Sequence, residues 1–126
     1  MNFDDLKSII DTESDQELKL TSYTWEIIKN SNSELKPWLS EDQFNQSFSK
    51  LPEYQNNDTV FVFESFERMY KVTGLTKRLT EQVNLNWTDF DAFQSSTDIL
   101  CFNMVPQNLN WTFYANRDFW QFAKGN

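Results

Sequence analysis

Thr59-Val60-Phe61-Val62-Phe63 is a run of β-branched and aromatic residues too short for a stable helix, and it reads as a strand buried on both faces. On its C-terminal side Arg68-Met69-Tyr70-Lys71-Val72-Thr73 alternates polar and apolar residues up to Gly74, the pattern of a neighbouring antiparallel strand. Leu75, Leu79 and Val83 recur at helical spacing and predict a helical turn or two. Thr88 with Asp91 predicts the cap of a short helix carrying Phe90 and Phe93. Asp98-Ile99-Leu100-Cys101-Phe102 and Trp111-Thr112-Phe113-Tyr114-Ala115 read as two further strands, joined through Met104 to Asn110 with Pro106 in the connection.

On the N-terminal side the apolar spacing is helical. Phe3, Leu6 and Ile9/Ile10 predict a short first helix. Ser14 followed by Glu17 is a capping-box pattern, and Leu18, Trp25 and Ile28 form a stripe, so a second helix is expected from about residue 15 to 30. A polar loop follows through Asn30-Ser31-Asn32-Ser33 to Lys36-Pro37. Ser40 with Gln43 repeats the capping pattern before Phe44, Phe48 and Leu51, a third helix stopped by Pro52. The expected fold is therefore α+β, with N-terminal helices packed on a small, mostly antiparallel sheet of three to four strands. At 126 residues the chain fits a single domain, 1–126.

Composition narrows the chemistry. The chain has no histidine, which removes Ser-His-Asp and Cys-His nucleophile pairs, His-ligated zinc and the usual general base near neutral pH. Cys101 is the only cysteine, so no Cys-x-x-Cys pair and no intrachain disulfide exist; flanked by Leu100 and Phe102, it reads as a buried, inert thiol. With two glycines, Gly74 and Gly125, there is no phosphate cradle. Asp11-x-Glu13-x-Asp15-x-Glu17 alternates oxygen ligands but lacks the glycine of a calcium loop. No metal and no cofactor is expected, and the chain reads as a non-enzyme. Asp89, Asp91 and Asp98 read as capping and turn residues rather than an acid/base pair. No basic leader or long apolar run opens the sequence, so a cytoplasmic protein without a membrane partner is expected. The repeated pentamer Asn-Leu-Asn-Trp-Thr, at 84–88 and 108–112, has unrelated flanks and marks at most two similar junctions.

Charge and aromatics point to binding. The net charge is −8, and residues 1–63 carry 12 acids against 5 bases. Such a balance repels a phosphate backbone, so direct nucleic-acid binding is not expected, whereas a basic protein would be steered toward the acidic half. The candidate partner-binding residues are Asp11, Glu13, Asp15, Glu17, Glu26, Glu34, Glu41 and Asp42; each also has the plainer reading of a solvated face that keeps the protein soluble. Aromatic residues make up 17% of the chain, enough to fold around. The five tryptophans read as core or core-rim residues. Phe119-Trp120-Gln121-Phe122 either docks back on the sheet or supplies an anchor for a partner or a second copy, so a homodimer is left open.

A Trp-containing helix expected before a short aromatic strand, followed by Asp98-Ile99-Leu100 and then Trp111-Thr112-Phe113, resembles small acidic bacterial immunity proteins of polymorphic-toxin systems. The likeness spans about residues 15–115; where that group continues with a Thr-His-Glu-like segment, this chain has Ala115-Asn116-Arg117-Asp118. The resemblance implies a protein that neutralises a basic cognate toxin, such as a nuclease, by occluding its active site. Two other readings fit the charge: a phage or mobile-element DNA mimic that blocks a host DNA-binding protein, and a small-ligand or orphan carboxylate-enzyme domain with a pocket in the aromatic core.

Overall fold

The computed structural model describes residues 1–11, 17–21, 24–31, 38–69 and 71–125. Its centre is β7 (Trp111–Ala115), in which all five residues are buried. Antiparallel neighbours extend it on both sides: β6 (Phe102–Val105), β2 (Thr59–Glu64) and β5 (Thr80–Asn84) one way, β8 (Phe119–Lys124) and β1 (Glu26–Ser31) the other. The six strands run in the order β1-β8-β7-β6-β2-β5, and β3 (Arg68–Met69) pairs with β4 (Thr76–Lys77) in a separate two-stranded sheet. The protein is thus mostly sheet, with four short helices among the described residues: a 3-10 helix (Phe3–Ser8), α1 (Glu41–Phe48), α2 (Pro52–Gln55) and α3 (Trp87–Ser96).

This corrects the expected architecture of N-terminal helices on three or four strands. Glu26–Ser31, expected to end a helix over 15–30, is instead the edge strand β1, with Ile28 opposite Phe122. Ile10 bridges Leu20 antiparallel; Ser14 of the expected capping box lies outside the described residues, and of the loop expected from Asn30 to Pro37, Asn30 and Ser31 are instead the end of β1 while residues 32–37 lie outside the described residues. Leu75, Leu79 and Val83 lie on no helix, since Thr76–Lys77 and Thr80–Asn84 are strands. Arg68–Met69 pairs with β4 rather than with β2, and Lys71–Thr73 form the turn. The strand expected at Asp98 begins at Phe102.

Period-2 alternation along the buried strands creates two cores. Val62, Phe102, Met104, Phe113 and Phe122 point to one face, where α1 and α3 cover them with Phe44, Phe48, Phe90 and Phe93. Phe48 sits at the middle of this layer, with ring centroids 5.5 Å from Trp111, Phe113 and Phe122 and 4.9 Å from Phe44. The opposite face carries Phe63, Val105, Tyr114 and Ala123 and is covered by the N-terminal segment through Leu6, Ile10 and Leu18. The C-terminal aromatics enter the sheet as β8, with Trp120 and Phe122 buried.

Local chemistry fixes the covering elements. Ser40 accepts from the Gln43 N–H and Gln43 reaches back to the Ser40 N–H, the reciprocal cap expected from the sequence. Pro52 does not merely stop a helix; it opens α2 at a first-turn position where a missing N–H costs nothing. At α3 the cap is Asn86, which accepts from the Asp89 N–H at 2.8 Å, rather than Thr88. Gln94, buried on α3, brackets Leu39 by accepting from its N–H and donating to its carbonyl, at 3.1 and 2.9 Å.

Replacing Phe48 by alanine is expected to cost about 3–5 kcal/mol of unfolding free energy, from lost burial and the cavity left among five aromatic rings. Thr112 is fully buried and its hydroxyl has no hydrogen-bond partner among the described residues, so Thr112→Val is expected to stabilise the protein by about 1 kcal/mol. Urea unfolding of the two variants measures both.

Candidate protein-binding surface

The acids singled out by the sequence fall in separate places. Asp11 and Glu17 are exposed on the N-terminal segment that covers the second core, and they come together because Asp11 N–H donates to the Lys19 carbonyl at 2.7 Å beside the Ile10–Leu20 bridge. The same segment is pinned to the sheet from beneath. Leu18 N–H donates to the buried Gln121 Oε1 at 2.7 Å, a contact between residues 103 apart in sequence. Asp4 and Asp5, in the first turn of the 3-10 helix, stand exposed on this layer, and Asp5 Oδ2 accepts from the Asn2 N–H at 2.9 Å to close its cap. These two carboxylates belong to the acidic opening of the chain but not to the candidate set; the signal that would have added them is that they cap an element which must lie over the sheet.

Glu41 and Asp42 occupy the first turn of α1, exposed, on the layer that covers the opposite face. There they favour the positive end of the helix dipole, which is a sufficient structural reason for their presence. Glu26 is exposed at the start of edge strand β1, with Lys124 of β8 as its cross-strand partner. Glu13, Asp15 and Glu34 lie outside the described residues. The five described candidates therefore make two groups on opposite sides of the sheet, Asp11 with Glu17 and Glu41 with Asp42, and one residue, Glu26, at its edge. The N-terminal layer, with Asp4, Asp5, Asp11 and Glu17, is the richest of these.

Two interior carboxylates do structural work. Glu53 of α2 accepts from the Trp111 Nε1–H at 2.8 Å, satisfying an indole buried under the sheet. Glu64, at the end of β2, accepts from the Leu79 N–H at 2.8 Å and pairs with Arg68 at 2.8 Å. Arg78 donates to the Glu64 carbonyl and lays its guanidinium 3.5 Å from the centre of the Phe3 ring, tying the N-terminal helix to the β2–β5 hairpin. Burial lowers the Arg78 pKa, with Glu67, Glu64 and Asp4 opposing the shift. A shallow, open groove runs between these elements, lined by Asn2, Phe3, Asp4, Lys7, Glu67 and Arg78.

The second core is polar in part. Ser65 Oγ donates to Asn103 Oδ1 at 3.0 Å, and Cys101 Sγ lies 3.1 Å from the Tyr114 hydroxyl. A cavity of about 10 Å³ between Leu18, Asn103 and Tyr114 has room for about one water. Among the described residues no group of three or more His, Cys, Asp or Glu side chains could hold a metal ion, and no helix is long and apolar enough to cross a membrane. No protein-family model, no curated protein and no solved structure matches the chain.

Glu81, on edge strand β5, is held above the ordinary carboxylate range, by burial first and by neighbouring Asp98 second. A raised folded-state pKa means that the ionised form is penalised in the native protein. That penalty is absent below the unfolded pKa and sets in as pH rises through the folded one. Glu81→Gln is therefore expected to raise the melting temperature slightly at pH 7 and to leave it unchanged at pH 3, as read by thermal denaturation at the two pH values.

Proposed function

We propose that this chain is a non-enzymatic binding protein that docks a basic protein partner on its acidic N-terminal layer, in the manner of a cytoplasmic immunity protein occluding the active site of a bacterial toxin. The observation that carries the reading is the placement of Asp4, Asp5, Asp11 and Glu17 as exposed carboxylates on a segment fixed to the sheet by Leu6, Ile10 and the Leu18–Gln121 hydrogen bond. Carboxylates carried on a packed layer need little backbone ordering on binding, which favours fast encounter and retention, and a cation of the partner replaces Lys7, paired with Asp4 at 3.1 Å. Lysines and arginines of the partner pair with these acids. The resemblance to immunity proteins supports the same assignment.

The test uses the basic polypeptide encoded beside this chain's gene, mixed with the purified protein at low and at moderate salt. A complex whose association slows with salt is expected. Asp11→Lys with Glu17→Lys should slow association about ten-fold, a change on the scale of electrostatic steering. Glu41→Lys with Asp42→Lys, on the opposite side of the sheet, should change it less than two-fold. Binding that ignores both salt and the Asp11/Glu17 reversal would retire the acidic-layer mechanism, and capture of a DNA-binding protein instead would favour DNA mimicry.

A further inference from the structure

The two edges of the six-stranded sheet are unlike. β5 is polar, with Thr80, Glu81, Gln82 and Asn84 exposed and only Val83 buried. At the other end β1 reads Glu26-Ile27-Ile28-Lys29-Asn30-Ser31 and uses one side of its backbone in the ladder to β8. Every residue from Glu26 to Asn30 is exposed, Ile27 by 41% and Ile28 by 57%. The register runs unbroken from Glu26–Lys124 to Ser31–Phe119, so no bulge turns this edge away, and β1 contains no proline. The outward N–H and C=O groups of such a strand are a template for one more strand.

β1 fits a second copy of itself, and in one register. Two antiparallel edges that continue one sheet are related by a two-fold axis perpendicular to it, which keeps each face on its own side. Residues directly opposite each other share a face, so the axis must pass beside a residue and not between two. Two such registers overlap five residues of β1, one centred on Ile28 and one on Lys29; those centred elsewhere overlap three or fewer. Centring on Lys29 sets two ammonium groups directly opposite, which is repulsive. Centring on Ile28 sets that side chain against its own copy on the face of Phe122 and Trp120, and on the same face Glu26 meets Asn30, whose amide donates to the carboxylate. On the other face Ile27 meets the stem of Lys29, whose ammonium lies over the Phe119 ring at 4.2 Å. Backbone, apolar contact and charge all close on the strand's own sequence, so the occupant this edge specifies is a second copy of the chain.

We propose that this protein forms a two-fold dimer by antiparallel pairing of β1 with β1 of a second copy, Ile28 lying on the axis, so that two six-stranded sheets become one. The contact is isologous and uses the apolar edge of each copy, so assembly closes at two. Glu26 is then an interface residue that accepts from Asn30 of the second copy.

Sedimentation equilibrium of the full chain over a concentration series tests both the association and its register. A monomer–dimer equilibrium is expected. Ile28→Glu and Ile28→Lys should each weaken it by about ten-fold, because each sets like charges on the axis, and an equimolar mixture of the two should recover most of the association as a heterodimer. Ile28 is more than half exposed, so the melting temperature is expected to hold. Asn30→Asp sets a carboxylate against Glu26 and should also weaken the dimer, which keeps the test decisive should an Ile28 variant fail to fold. A chain that sediments as a monomer throughout, a dimer indifferent to Ile28→Glu and Asn30→Asp, or a Glu/Lys mixture that associates no more tightly than its components would each overturn the proposal.

Discussion

Burial of both faces of β7 is the constraint on which the other features depend. Trp111, Phe113 and Ala115 look one way and Thr112 and Tyr114 the other, and none is more than 1% exposed. A strand in this position needs a covering layer on each side. The helical layer supplies aromatic rings on one face. On the other, among the described residues, the cover is the N-terminal segment, with a short 3-10 helix over Phe3–Ser8 and an Ile10–Leu20 bridge, and Trp25 and Leu109 packed beside it. Because that cover is thin and largely irregular, its backbone must find polar partners beneath it. The amide of Gln121 answers this need for Leu18, and the second core is accordingly more polar than the first.

The layering decides what the surface presents. Residues whose apolar neighbours are drawn onto the sheet leave their own charges outside, so Asp11 accompanies Ile10, Glu17 accompanies Leu18, and Asp4 and Asp5 accompany Leu6. The exposure of these acids is thus a consequence of how the second face is covered. The β3–β4 hairpin has the opposite origin. It extends past the end of the sheet, where no layer reaches, and its apolar side chains stay outside because the monomer has nothing left to cover them with.

Parts of this arrangement were legible in the sequence, and the physical reason separates them from the rest. Thr59–Phe63 and Trp111–Ala115 were readable because a strand buried on both faces is continuously apolar and β-branched or aromatic. α1 was readable because Ser40 and Gln43 close a local cap that needs no tertiary partner. β1 was not. Its adjacent isoleucines, Ile27 and Ile28, are both exposed, so neither the helical nor the strand period is present, and the segment is extended because β8 offers it a ladder. β5 failed for a similar reason, since among Thr80–Asn84 only Val83 is buried and its chance spacing from Leu75 and Leu79 imitates a helix. In the candidate site, the acids were visible as composition, but their division between two sides of the sheet follows from the fold. The hairpin tip was hidden by its own alternation, which reads as a half-buried strand and is in fact an exposed turn.

The thin cover on the second face is the claim on which the acidic layer stands, and native-state amide hydrogen exchange measures it most directly. The Leu18 N–H, bonded to Gln121, and the Asp11 and Ile10 N–H groups, bonded within the cover, are predicted to exchange only through the same global opening that exposes β7, with the same free energy. Exchange of these amides as fast as those of the exposed turn at Lys71–Thr73, while β7 stays protected, would mean that the N-terminal segment is not part of the folded core and would contradict the account.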